Sequence, residues 1–303
     1  MSAARGDLDE QPRWALALEV EAAQRRQGYC VLMEKLPVTL CISTHNAAPV
    51  LRGCIESAAQ WVSEIVVVDM ESEDGTLEIA RSFGARIVEV PAAGWAEPGR
   101  QSGIDAATQP WILVLDADER AAPGLRGVLA RYVERADIAG VRLPRQNFQF
   151  GWWAPRSGIW PDWQLRLFRR ERTTWPAVWT HAGPRVEGQV ERAPTRVENA
   201  IVHHSYDSIH AWMAAANRYT DHEADRLTKA GRRASLPRLF AVPVARFVQD
   251  YLAKRGFRGG RYGLAVALMS LCYWIVAELK VWERQLGAEP PSRDAVRQPD
   301  ADV

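Results

Sequence analysis

An α/β fold with a mostly parallel sheet and helices on both faces is what this sequence predicts, and three observations carry the prediction. Short continuous apolar runs alternate with segments of helical period. The runs are apolar on both sides of the pleat, as strands covered on two faces must be. Polar and acidic residues then close them abruptly, at the carboxyl ends where open parallel sheets bind ligands.

Residues 1–36 are polar and Ala/Arg-rich, with one helix-like stretch over Trp14–Ala23, and read as an N-terminal extension. The first strand is Val38–Ile42, followed by helical spacing from Val50 to Trp61. Glu64–Asp69 is the second strand, the turn Ser72-Glu73-Asp74-Gly75 follows, and Thr76 to Phe83 is helical. Arg86–Val90 and Trp111–Leu115 add two more strands. After about Gly140 the texture turns rich in Trp, Arg and Pro through Glu198, and an amphipathic helix follows from Ser208 to about Lys229. The expected organisation is an extension over 1–36, a catalytic α/β domain over 37–235, a helical membrane-associating region over 236–286 and a disordered tail over 287–303.

Composition sets the outer limits. A chain of 303 residues with 47% hydrophobic content can bury a full core, which excludes a disordered protein. Its 38 basic and 37 acidic side chains nearly cancel, so no whole-chain field draws it to nucleic acid. Cys30, Cys41, Cys54 and Cys272 are widely spaced, form no C-x-x-C pair and fit a reducing cytosol.

The strongest chemical signal is Leu113-Val114-Leu115-Asp116-Ala117-Asp118-Glu119, an apolar strand ending in three carboxylates. Buried unpaired, they would be prohibitively costly. At a strand exit, carboxylates at i and i+2 can share one hard divalent cation that takes further ligands from substrate phosphates. An acidic helix start is the structural alternative. Asp69 closes the second strand, where it can accept from a nucleobase N–H or a ribose hydroxyl. Asp74 fits an Asx turn better. The first strand ends in Ser43-Thr44-His45-Asn46, in which Asn46 serves either as a helix cap or as a donor contact.

These segments together resemble the family 2 glycosyltransferases. Ser43-Thr44-His45-Asn46, Val67-Val68-Asp69 with Ser72-x-Asp74-Gly75-Thr76, Gly99-Arg100-Gln101-x-Gly103-Ile104 and Leu115-Asp116-Ala117-Asp118-Glu119 carry the likeness. Pro161–Arg170, His181, Val186-Glu187-Gly188, His203-His204-Ser205-Tyr206 and Asn217-Arg218-Tyr219-Thr220 resemble its lipopolysaccharide-core glucosyltransferase branch. The resemblance implies a GT-A fold, a nucleoside diphosphate sugar donor such as a UDP-sugar, Mg²⁺ or Mn²⁺ at the D-x-D motif, and inversion at the anomeric carbon. It implies Thr44, Asn46, Asp69, Arg100 and His181 on the donor side. It also puts Asp118 on the metal and Asp116 near ribose or metal. Gln101 and Ala182 stand where that branch usually has Asn and Glu.

An inverting transfer needs a carboxylate that takes the proton of the acceptor hydroxyl. Asp162 is the expected base and Glu187 the second candidate, with an ion pair to Arg166 or Arg169 as the structural alternative for Asp162. Arg166 suits either a grip on the diphosphate or structural pairing. Towards the C-terminus, Arg238, Arg246, Lys254, Arg255, Arg258 and Arg261 face a single acid, Asp250, among apolar residues at helical spacing. That composition describes an interfacial helix on an anionic membrane surface. The uncharged run Gly263–Ala277 is short of the roughly 20 residues that span a bilayer. The expected setting is cytoplasmic, peripheral on the inner face of a bacterial cell membrane, with a lipid-linked glycan as acceptor. A peptide or protein acceptor, or a non-catalytic sugar-nucleotide-binding scaffold, are the competing readings.

Overall fold

The computed structural model describes residues 34–287 apart from 93–96, 154, 156–159 and 177–182. The expected helix over Trp14–Ala23, the tail beyond Gly287, His181 and Ala182 lie outside the described residues.

In chain order the elements are β1 (Leu36–Thr44), α1 (Ala48–Glu56), β2 (Val62–Asp69), α2 (Thr76–Ser82), β3 (Arg86–Glu89), α3 (Glu97–Ala106), β4 (Trp111–Asp116), β5 (Glu119–Ala121) and α4 (Leu125–Val133). There follow β6 (Ile138–Gln149), β7 (Asp162–Arg169), β8 (Thr173–Thr174), β9 (Arg185–Val186), β10 (Gln189–Arg192) and β11 (Ile201–Tyr206). Three helices close the chain: α5 (Ile209–Lys229), α6 (Leu236–Val248) and α7 (Gly260–Gln285).

The main sheet runs β3-β2-β1-β4-β7-β6-β11-β5, with β10 also paired to β6. β1 to β4 are mutually parallel where they pair, and β7 enters antiparallel between β4 and β6. Alternating strand residues feed two cores, as a doubly covered sheet requires. Val38, Leu40, Ile42, Leu113 and Leu115 pack with Leu51, Ile55, Leu125 and Leu129 of α1 and α4. Cys41, Val66, Val68, Ile112 and Val114 pack with Ile104 of α3 on the other side. Gly103 permits that approach, because a Cβ there would stand 2.3 Å from the Cys41 sulfur.

Three elements depart from expectation. α1 ends at Glu56 and does not reach Trp61, and the Ser57 hydroxyl bonds back to the Cys54 carbonyl at 2.7 Å. The Trp- and Arg-rich stretch after Gly140, which offered no strand pattern, supplies the long strand β6 and the inserted strand β7. α7 also continues well past Ala277, and the helical run Gly256–Gln285 is long and apolar enough to cross a membrane by length and composition alone. The helix expected from Ser208 is α5, and Ser208 caps it, its hydroxyl accepting from the Ala211 amide at 3.1 Å.

Candidate active site

Register brings the polar strand ends together. Thr44 stands beside Asp69 across β1 and β2, and Ser43 stands beside Asp116 across β1 and β4. The strand order reverses between β2-β1 and β4, so the cluster sits where open α/β sheets place their ligands. Asp69 is buried, accepting from the Thr44 hydroxyl at 3.1 Å and the Ser72 amide at 2.9 Å. Asn46, at φ +49°, accepts from the Glu73 amide at 2.8 Å and so ties the β1–α1 loop to the β2–α2 loop. It caps no helix. Asp74 makes the anticipated Asx turn to Thr76 and also accepts from the Ala48 amide, holding the starts of α1 and α2 together.

At the centre, three carboxylates and three guanidiniums alternate. Arg100 Nη2 donates to Asp116 Oδ1 at 2.6 Å, and Arg166 Nη2 donates to Asp116 Oδ2 at 2.7 Å. Arg166 Nη2 and Arg145 Nη1 both donate to Glu119 Oε1, at 3.0 and 2.9 Å. Arg145 Nη2 donates to Asp162 Oδ2 at 2.7 Å. The charges cancel in pairs, which lets Glu119 sit fully buried beside the nearly buried Arg166 and the partly buried Arg145. Burial would raise the Asp116 carboxyl, but the Arg100 and Arg166 guanidiniums outweigh it and hold the group well below the usual carboxylate range.

This pairing bears on four of the expected site residues. Asp116 gives both oxygens to arginines, Arg100 and Arg166. Arg166 is paired with both Asp116 and Glu119. Asp162 is ion-paired, but to Arg145, not to Arg166 or Arg169. Its oxygens also accept from Asn147 at 3.0 Å and Gln164 at 2.8 Å. Burial raises the Asp162 carboxyl, and these partners more than reverse that, leaving a weaker base than a free aspartate. Glu187 precedes β10, which pairs with Ile138–Arg142 at the amino end of β6, whereas Arg145 and Asn147 lie towards its carboxyl end. It is exposed.

Asp118 behaves differently. Its side chain is 39% exposed, and His203 Nε2 stands 3.5 Å from its Oδ2. The tautomer follows from the neighbours. Asp162 can only accept, so the Asn147 amide nitrogen faces it and the amide oxygen faces His203 Nδ1 at 2.7 Å. Nδ1 therefore donates to that oxygen, with the Ser205 hydroxyl 3.0 Å from the same nitrogen, and Nε2 faces Asp118. β11 makes this meeting possible, pairing His203 with Asn147 on one side and Glu119 on the other.

Arg100 is nearly buried against Trp175, its guanidinium 4.8 Å from the ring centroid. Its Nε and Nη1 find no hydrogen-bond partner among the described residues. Gln101 explains the support: its side-chain oxygen accepts from the Trp175 amide at 2.6 Å and its nitrogen donates to Asp105 at 2.7 Å. Sequence reasoning had no role for Glu119, Arg145 or Asn147, and it had His203 only within the resemblance. Arg145 and Asn147, polar residues two apart and so on one face of a strand, were the available signal.

Residues 39–187 match the sequence model described as Glycosyl transferase family 2. The chain is 28% identical to the lipopolysaccharide core biosynthesis glycosyltransferase LpsC of Rhizobium meliloti, over 88% of this chain and 99% of that protein. It is 26% identical to an uncharacterized glycosyltransferase of Rickettsia bellii, over 84% of this chain and 90% of the relative. Among solved structures, the mannosyltransferase PcManGT from Pyrobaculum calidifontis, in complex with GDP-Man and Mn²⁺, is similar with a TM-score of 0.48 and 16% identity, covering 89% of this chain and 95% of that one. The chain carries a family 2 glycosyltransferase domain over residues 39–187, and the strand exits with the carboxylate–guanidinium chain lie within it.

Proposed function

We propose that this glycosyltransferase moves a sugar from a nucleoside diphosphate sugar, a UDP-sugar by preference, to a hydroxyl of a lipid-linked or lipopolysaccharide-core glycan, with inversion. The observation that carries the donor half is Arg100: a buried guanidinium beside the strand exits, with Nε and Nη1 unpartnered among the described residues, is matched to an anionic diphosphate. Asp69 and Thr44 line the adjoining exit and suit the nucleoside. Their hydrogen bonds to each other and to Ser72 pre-organise them.

The residues present fit a divalent cation at Asp118 with His203 as second ligand. No group of three or more candidate ligands is gathered among the described residues, so donor phosphates and water would complete the shell. Bound there, Mg²⁺ or Mn²⁺ supplies charge neutralisation to the departing diphosphate. Asp116 contributes by holding Arg100 and Arg166, and Asp162 by holding Arg145 and the Asn147 amide that orients His203. A panel of nucleotide sugars followed for nucleoside diphosphate release, with and without Mn²⁺, tests the reading. No release with any donor at any metal concentration would reject it.

Asp162→Asn separates two roles for that carboxylate. Acting through Asn147 and His203, it should raise the Mn²⁺ concentration for half-maximal activity about 10-fold to 100-fold, with a smaller change in kcat at saturating metal. A collapse of kcat with an unchanged metal requirement would return Asp162 to the role of base.

The acceptor half rests on the relative named for lipopolysaccharide core biosynthesis and on the C-terminal helices. Leu236, Phe240, Val244, Val248 and Leu252 form an exposed stripe every four residues along α6 and its π-helical continuation, and Leu264, Leu268 and Val276 form another on α7. Arg238, Lys254, Arg255, Arg258 and Arg261 are exposed on the same stretch. The far end of α7 is tied to α5 by ion pairs of Lys280 with Asp221 at 2.8 Å and Arg284 with Asp225 at 2.6 Å. Charged protein contacts there favour a helix lying on the membrane over one that crosses it. Changing Lys254, Arg255 and Arg258 to Glu should release the protein from anionic vesicles while leaving activity on a soluble acceptor analogue intact. Cosedimentation indifferent to lipid charge and to this reversal would remove the membrane from the reading.

A further inference from the structure

Ala117 and Asp118 are the two residues that join β4 to β5. A link this short places the Asp118 carboxylate only as well as its peptide groups are held. Each carbonyl from Asp116 to Glu119 accepts a hydrogen bond from outside the link. The Asp116 carbonyl accepts from Cys54 Sγ at 3.3 Å, and the Asp118 carbonyl from the His204 amide at 3.4 Å. The remaining two belong to Arg120, whose Nη1 donates to the Ala117 carbonyl at 3.1 Å and the Glu119 carbonyl at 2.9 Å. Its Nη2 donates to the Val50 carbonyl of α1 at 2.8 Å, so one guanidinium ties the link to a helix of the core.

α1 is shaped for this side chain. Gly53 lies inside the helix, where glycine is less favourable than alanine. A Cβ at Gly53 would stand 2.6 Å from Arg120 Nε and 2.9 Å from Nη2, so the bare Cα leaves the room that the guanidinium fills. Among the described residues the hydrogen bonds of Arg120 all go to main-chain carbonyls. A cation two residues from Asp118 opposes a divalent ion there by charge alone, whereas its hydrogen bonds favour the ion by fixing the carboxylate. We propose that Arg120 is a positioning residue, which holds Asp118 in place for the cation through the carbonyls of Ala117 and Glu119. The inference deepens the reading of Asp118 given above and rests on it.

The two effects of Arg120 differ in sign, so removing it distinguishes them. The test is Mn²⁺ binding to the full chain with UDP present, read from the paramagnetic resonance of the free ion, with a thermal melt of each variant. Arg120→Met should bind Mn²⁺ about 10-fold more weakly, as loss of a residue that orients a metal ligand does. Arg120→Lys keeps a donor for the carbonyls without the guanidinium fork and should recover part of that loss. Gly53→Ala covers the case in which Arg120→Met does not fold: alanine supports α1 while displacing the guanidinium, so Mn²⁺ affinity should fall with the melting temperature kept. Asp118→Asn is the reference. If it binds Mn²⁺ as wild type does, or wild type binds none, the cation reading falls and the role of Arg120 with it. If Asp118→Asn loses the ion while Arg120→Met, or Gly53→Ala in its stead, keeps or exceeds wild-type affinity, the cation reading stands and the inference about Arg120 is wrong.

Discussion

Asp118→Asn should remove most transfer activity, about 100-fold or more in kcat, while the melting temperature stays near that of wild type. The substitution keeps the size of the side chain and takes away the charge that the proposed cation needs. The structure makes the separation of activity from stability sharp. Asp118 stands outside the alternating chain of ion pairs, partly exposed, with His203 at 3.5 Å. No buried arginine loses a partner when it is neutralised. Activity assays at saturating Mn²⁺ alongside a thermal melt decide the matter. Near wild-type turnover would show that the D-x-D carboxylate is not the cation's anchor.

Glu119→Gln should do the reverse and unfold the site. Oε1 of Glu119 accepts from both Arg145 and Arg166, and Oε2 accepts from the Asp116 amide at 3.0 Å. A glutamine presents one oxygen and one NH₂, so either orientation sets a donor against a donor in a fully buried position. It also leaves two adjacent guanidiniums with one carboxylate fewer between them. Breaking a buried pair in this way costs about 3–5 kcal/mol. In a domain of this size that is a fall of roughly 10 °C in melting temperature. A circular dichroism melt measures it, and a shift below about 2 °C would mean that water or a rearranged Arg145 replaces the lost partner. Loss of activity in this variant would report lost structure, which the melt distinguishes from the Asp118 effect.

The two substitutions sit one residue apart, and their contrast marks the limit of the sequence. Leu113–Glu119 announced a strand running into three carboxylates, because a buried apolar run is a local pattern and an acidic cluster beside it demands an explanation. The first four strands, α2, the start of α5 near Ser208 and the Asp74 turn were legible for the same reason: each depends on neighbours within a few residues. β6 and β7 were not, since their site-facing positions carry Arg145, Asn147, Asp162, Gln164 and Arg166, and polar residues interrupt the apolar period that marks a strand. The sequence by itself determined a doubly covered parallel sheet, its polar strand exits and a basic, apolar C-terminal surface. Only the tertiary structure decided that Asp116 belongs to Arg100 and Arg166, that Asp162 belongs to Arg145, and that His203 faces Asp118. Those partners come from strands far apart in the chain, and strand register, which no local spacing encodes, sets which guanidinium reaches which carboxylate.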